Sequence, residues 1–143
     1  MSSRQPARHT VSHHQALIYA MVTMSAVDAR VGDRELRRIG QIVQTLPVFK
    51  GFDPERLTRV AQECGEMLQV EDGLDAVLGL IAEALPGRLR ETAYALAVEV
   101  AVADLHIWRE EIRFLARLRD ALELDKLVTA ALERSAMARY HAM

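Results

Sequence analysis

The chain has 143 residues, half of them apolar, enough to bury one core without metals, and its single cysteine, Cys64, excludes an internal disulfide. Lys and Arg number 18 against 20 Asp and Glu, a formal net charge of −2, which lacks the basic excess of a dedicated nucleic-acid binder. No apolar run lies near Met1, and the most apolar stretch, Thr92 to Ala103, is too short to span a bilayer and contains Glu99, so a soluble cytoplasmic protein is expected.

Residues 1–11 carry Arg, Ser, Gln and Pro6 without periodicity and read as a flexible tail ahead of one domain over 12–143. Ser12 is placed to cap a first helix from His13 to about Ala29, whose Leu17, Met21, Met24 and Val27 recur at three and four. After a turn at Ala29–Gly32, a second helix is predicted over Asp33–Leu46, with Leu36, Ile39, Ile42, Val43 and Leu46 on one face and Pro47 ending it. Asp53-Pro54 marks a third start, an N-cap followed by proline at the first helical position. That helix carries Leu57, Val60, Ala61, Cys64, Met67 and Leu68, and Gly65 within it suits a close helix crossing. Glu63 and Glu66 flank Cys64, a setting that does not activate a thiol.

A break near Glu71–Gly73 precedes a fourth helix over Leu74–Leu85, and Pro86-Gly87 is the strongest punctuation in the chain. The fifth, Arg88–Ala103, is apolar almost all round from Ala93 and so reads as central. The sixth, Arg109–Leu122, directs Ile112, Leu115, Ala116, Leu118 and Leu122 inward, and the seventh, from Asp125 to the last residues, directs Leu127, Val128, Ala131 and Leu132 inward. Strand signals are absent. The chain is therefore all-α, a single-domain bundle of about seven helices.

One unit occurs twice. Ala20–Ile39 and Leu96–Leu115 align without a gap at an offset of 76, with identities that include Val22/Val98, Asp28/Asp104, Glu35/Glu111 and, beyond the unit, Leu46/Leu122. In each copy an apolar run ends in Asp, a β-branched residue (Val31, Ile107) follows three positions on, and Glu follows seven on. The expected architecture is an internal pseudo-twofold repeat of helix hairpins, with the first and fifth helices as the inner pair.

These runs, Ala26-Val27-Asp28 through Glu35 and Ala101-Val102-Ala103-Asp104 through Glu111, resemble the doubled signature of the TerB-like, or tellurite-resistance, helical family, over roughly residues 14–133. The resemblance implies an all-helical fold, a link to tellurite and general stress responses, and a suggested divalent-metal site whose matching positions here are Asp28, Glu35, Asp104 and Glu111. The chain departs from the family run. Ala29 and Leu105 stand where the family has Gly, Arg30 and His106 where it has an acid, and Gly32 and Trp108 where it has a small polar residue. Arg30 sets a fixed cation beside Asp28 and weakens a divalent site.

Two readings of the repeated acids stand side by side. In one, Glu35 and Glu111 are the third residues of their helices and reach back to the free N–H groups at the helix start, while Asp28 and Asp104 close Asx-type turns. In the other, the four carboxylates converge on a hard cation, which takes six or more oxygens, or on Zn²⁺ with His106.

Residues 51–87 hold eight acids and two Arg, a net of −6, and give one acidic face. Arg30, Arg34, Arg37 and Arg38 form a basic row that reads first as solvated surface and second as a face for an acidic protein surface or anionic headgroups; Arg109, Arg113, Arg117 and Arg119 form a similar row, which with Glu110 and Asp120 reads as an ion-pair-laced outer face. Neither a phosphate-binding glycine loop nor a nucleophile triad motif is present. The function expected is a non-enzymatic accessory or protein-interaction domain. Its partner is a protein, a membrane-associated one included, with homo-oligomerisation open and no cofactor beyond a divalent cation. The alternative is a divalent-metal-binding module.

Overall fold

The computed structural model describes residues 10–26, 32–103 and 109–141, so the tail expected over 1–11 falls almost wholly outside the described residues. Those residues form seven helices: α1 (His13–Ala26), α2 (Asp33–Thr45), α3 (Leu57–Gln69), α4 (Gly73–Ala84), α5 (Gly87–Ala103), α6 (Arg109–Ala121) and α7 (Lys126–Arg139). Short 3-10 turns lie at Pro47–Phe49 and Pro54–Arg56, and no strand occurs among the described residues.

Side-chain caps set several starts. The Gln15 N–H donates to Ser12 Oγ at 3.1 Å and the Ser12 N–H donates to Gln15 Oε1 at 2.8 Å, a reciprocal capping box that opens α1. Asp53 accepts from the Glu55 N–H at 3.0 Å ahead of α3, and Asp125 accepts from the Leu127 N–H at 2.7 Å to open α7. His14 donates from Nε2 to the Val48 carbonyl at 2.9 Å and packs between the rings of Phe49 and Phe52, which pins the start of α1 to the α2–α3 connection.

α1 is the axis of the bundle. Every residue from Ala16 to Met24 is buried, so the helix is covered on all sides. It packs most extensively on α5, then on α3 and α4. α7 and α6 lie against α5, and α4 joins α3 to α6. The pairing of the first and fifth helices is thus as the sequence leads one to expect. Tyr19, Leu17, Ile18 and Met21 from α1 are among the largest fully buried side chains, and burial of an aliphatic or aromatic side chain of this size contributes about 1.5–3 kcal/mol.

Several inward assignments are corrected. Leu127 is 80% exposed and Ala131 is exposed; α7 buries Thr129 and Ala136 instead. Ile112 is 57% exposed, and Phe114 takes the inward position on α6. Leu46 stands exposed just beyond α2. Gly65 makes no close crossing, because a β-carbon there would meet nothing within 4 Å.

Two contacts lock the helix ends. Arg90, on α5, donates to the carbonyls of Ala82 (2.9 Å), Leu122 (3.1 Å) and Leu85 (3.4 Å), joining the ends of α4 and α6. Gly73 opens α4 directly against the last turn of α3.

α6 ends in a Schellman motif. The Leu124 N–H donates to the Arg119 carbonyl at 3.0 Å and the Glu123 N–H to the Asp120 carbonyl at 3.1 Å, with Glu123 at φ +56°. Glycine is the residue that takes this left-handed position without strain. Glu123→Gly is therefore expected to add about 0.5–1 kcal/mol, read as a melting temperature roughly 2–4 °C higher. The Glu123–Arg90 contact that it removes spans 3.8 Å with Glu123 83% exposed, and contributes little.

Candidate functional site

Of the four repeated acids, Glu35 and Glu111 lie among the described residues; Asp28 and Asp104 lie outside them, as do Arg30, His106 and Trp108. Gly32 caps α2 in extended conformation, φ −81° and ψ 171°, with no side-chain cap. Its carbonyl accepts the first helical bond, from the Leu36 N–H at 3.0 Å. The half-buried Glu35 folds back over it, so that Oε2 lies 2.6 Å from where a β-carbon on residue 32 would stand. The carboxylate thus occupies the space that the missing side chain leaves, at the positive end of the helix. This is the position expected of the Glu half of a capping box.

Glu111 holds the equivalent third position of α6, but is 5% exposed and has a partner, whereas Glu35 is half open to solvent. Equal places in the repeat are therefore unequally desolvated. Among the described residues, no three His, Cys, Asp or Glu side chains gather where they could hold a metal ion.

The sequence gives no hint of a cleft of about 400 Å³ between α5, α6 and α7. Tyr94, Val98 and Ala101 of α5 form its floor, Leu115 and Arg119 of α6 one wall, and Met137 of α7 the other. It opens because α7 rests on α5 through the small side chains Thr129 and Ala136. At its polar end the Tyr94 hydroxyl donates to Glu133.

Acidic side chains are exposed on α3, on α4 and at the turn between them. Glu66, Glu71, Asp72 and Glu83 are exposed there, and no Lys or Arg occurs between Arg59 and Arg88. Asp75, beside them, pairs with Arg117 of α6.

Cys64 is fully buried, with Sγ 3.6 Å from Thr23 Oγ1, and burial pushes its thiol up to about 11, which leaves it a structural side chain. All three tyrosines are harder to ionise than usual. Burial pushes the Tyr19 phenol up to about 12. Tyr94 is raised by burial and by Glu133, and Tyr140 by its hydrogen bond to Glu99. Their folded pKa values lie above the unfolded value of about 10. The stability they contribute is complete below that pH and is lost as pH rises through the folded values. Unfolding followed by circular dichroism is expected to set in above about pH 10, with phenolate absorbance appearing in the same transition.

No helix among the described residues is long and apolar enough to cross a membrane. Comparison with curated proteins and with solved structures gives no match. The family profile described as tellurite resistance protein TerB matches residues 14–134, a span that takes in all seven helices but for the ends of the first and last. The chain belongs to the TerB family.

Proposed function

We propose that this TerB-family domain is a non-enzymatic accessory module of a cytoplasmic stress or tellurite response, and that it presents its acidic α3–α4 face to a protein partner. The observation that carries the reading is the exposed set Glu66, Glu71, Asp72 and Glu83, in a stretch without a basic residue. Such a field raises the association rate of a basic surface and weakens with salt. The test is cross-linked capture from cells with the wild type and with a Glu66→Lys, Glu71→Lys, Glu83→Lys variant. A specific partner, released by salt and lost from the variant, is expected. A partner set unchanged by the reversal sinks the reading.

A second reading is a divalent-cation site using Asp28, Glu35, Asp104 and Glu111 about a pseudo-twofold axis. It is favoured by the helix boundaries: α6 begins and ends 76 residues after α2, the offset of the sequence repeat. α3 also packs on α1 as α7 packs on α5. A cation bound by the native state raises the melting temperature. A rise with millimolar Ca²⁺, Mg²⁺, Mn²⁺ or Zn²⁺ that Glu35→Gln and Glu111→Gln abolish is the expected result. No rise with any of the four retires the metal.

A further inference from the structure

α6 and α7 follow one another in the chain and both pack on α5, yet they scarcely touch each other. The cleft of about 400 Å³ is the space left between them. It is held open from below. Glu133 accepts from the Tyr94 hydroxyl, and Glu99 accepts from Arg139 at 2.6 Å and from the Tyr140 hydroxyl, so α7 is tied to α5 at two places instead of leaning on α6. Apolar side chains flank the opening: Ile112 of α6 is 57% exposed and Met137 of α7 44%. Small-molecule sites of helical bundles have this form, a preformed gap with apolar walls and a few placed polar groups.

Tyr94, Arg119 and Glu133 are the polar groups of the lining. Tyr94 is 1% exposed, and its phenol, made harder to ionise by burial and by Glu133, stays a donor to that carboxylate. The Arg119 charge acts on the same phenol. Arg119 gives Nε to Asp120 at 3.3 Å, and its two Nη groups have no hydrogen bond among the described residues. The cleft thus offers one acidic acceptor and one basic donor together. A carboxylate head would face Glu133, and an ammonium head would face Arg119. A hydroxyl or amide serves both, donating to the carboxylate and accepting from the guanidinium.

We propose that this cleft binds a small uncharged amphiphile, an apolar body ending in an amide or hydroxyl group. At the ~30 Å³ that a water molecule occupies in the liquid, the space holds on the order of a dozen non-hydrogen atoms. Its floor, from Tyr94 to Val102 on α5, is about 12 Å long. A docked helix of that length, about 10 Å across with its side chains, would need roughly twice the volume. The site shares no helix with the acidic side chains of α3 and α4, so its test stands apart from that reading.

The test uses four eight-carbon compounds that differ in the head: octanamide, 1-octanol, octanoate and octylamine. Protein labelled with ¹³C in the methionine methyl groups reports on the wall, and Met137→Leu identifies the signal. Octanamide and octanol are expected to shift the Met137 methyl with a Kd on the order of 1 mM. The two charged compounds are expected to bind about tenfold more weakly. Glu133→Gln is expected to admit octanoate, and Arg119→Gln octylamine, each bringing a charged head level with the uncharged ones or above them. A change in packing alone would not invert the preference in opposite senses. Ala116→Phe, which fills the cleft from α6, is expected to abolish the shift while helical circular dichroism is kept. No shift with any of the four compounds overturns the proposal, as does a wild-type preference for a charged head or equal binding of all four. An order of heads unchanged in both charge variants overturns it, and so does octanamide binding that survives Ala116→Phe. A cleft that refuses all four compounds and instead takes an added amphipathic peptide overturns it too, and gives the site to a protein.

Discussion

Gly73→Ala is expected to destabilise the protein by about 3 kcal/mol, seen as a lower denaturant midpoint with unchanged slope and a melting temperature roughly 10 °C lower. A β-carbon on residue 73 would stand 2.0 Å from the Met67 carbonyl oxygen and 3.0–3.1 Å from backbone carbons of Met67 and Leu68. These are main-chain atoms of the last turn of α3, and no rotamer change moves them. The α3–α4 corner must open, and with it the packing of both helices on α1. The control is Gly79→Ala in the same helix, where a β-carbon meets nothing within 4 Å. Helix propensity alone favours alanine at both positions, by about 0.5–1 kcal/mol. Opposite signs at 73 and 79 would isolate the main-chain overlap as the cause, and a stabilised Gly73→Ala would refute it.

Arg90→Met is expected to cost a similar amount, about 3 kcal/mol. The variant keeps most of the aliphatic stem and loses the three donors that hold the carbonyls of Ala82, Leu85 and Leu122. Those oxygens sit at the negative ends of α4 and α6, where a cation is also favoured by the helix dipoles. Arg90→Lys keeps the charge, but a single ammonium cannot reach three carbonyls at once, so an intermediate loss is expected. Urea denaturation of the three proteins should rank them Arg, Lys, Met. Equal stability of the Lys variant and the wild type would assign the effect to charge alone.

The helices themselves were legible from apolar spacing, with Pro47 and Pro86-Gly87 marking ends, but Asp53-Pro54 opens a 3-10 turn and α3 begins three residues after Pro54, at Leu57. Facing was legible only where a helix has one apolar side. In α7 apolar residues surround the axis, so the sequence sets no phase. Packing on α5 selects Thr129 and Ala136 and leaves Leu127 outside. Gly65 and Gly73 are the same residue type in sequence, and only the approach of α3 to α4 separates an open position from an obligatory one. Arg90 carries no sequence signal of its role, because its three acceptors are brought to it by packing and one of them, Leu122, is distant in the chain. Spacing marks Glu35 and Glu111 as the third residues of α2 and α6, while their unequal burial depends on neighbours that spacing does not show. The cleft beside α5 has no motif, since it arises where small side chains fail to fill a gap.

The central place of α1 bears on synthesis. It leaves the ribosome before the other six described helices, yet the surface it presents to α5 stays bare until residues 87–103 have followed. A nascent chain ending at Pro86 holds a helix made for burial from Ala16 to Met24 with its largest partner missing. Such a fragment is expected to remain uncompacted and to engage chaperones, with cooperative folding only after release of the second half.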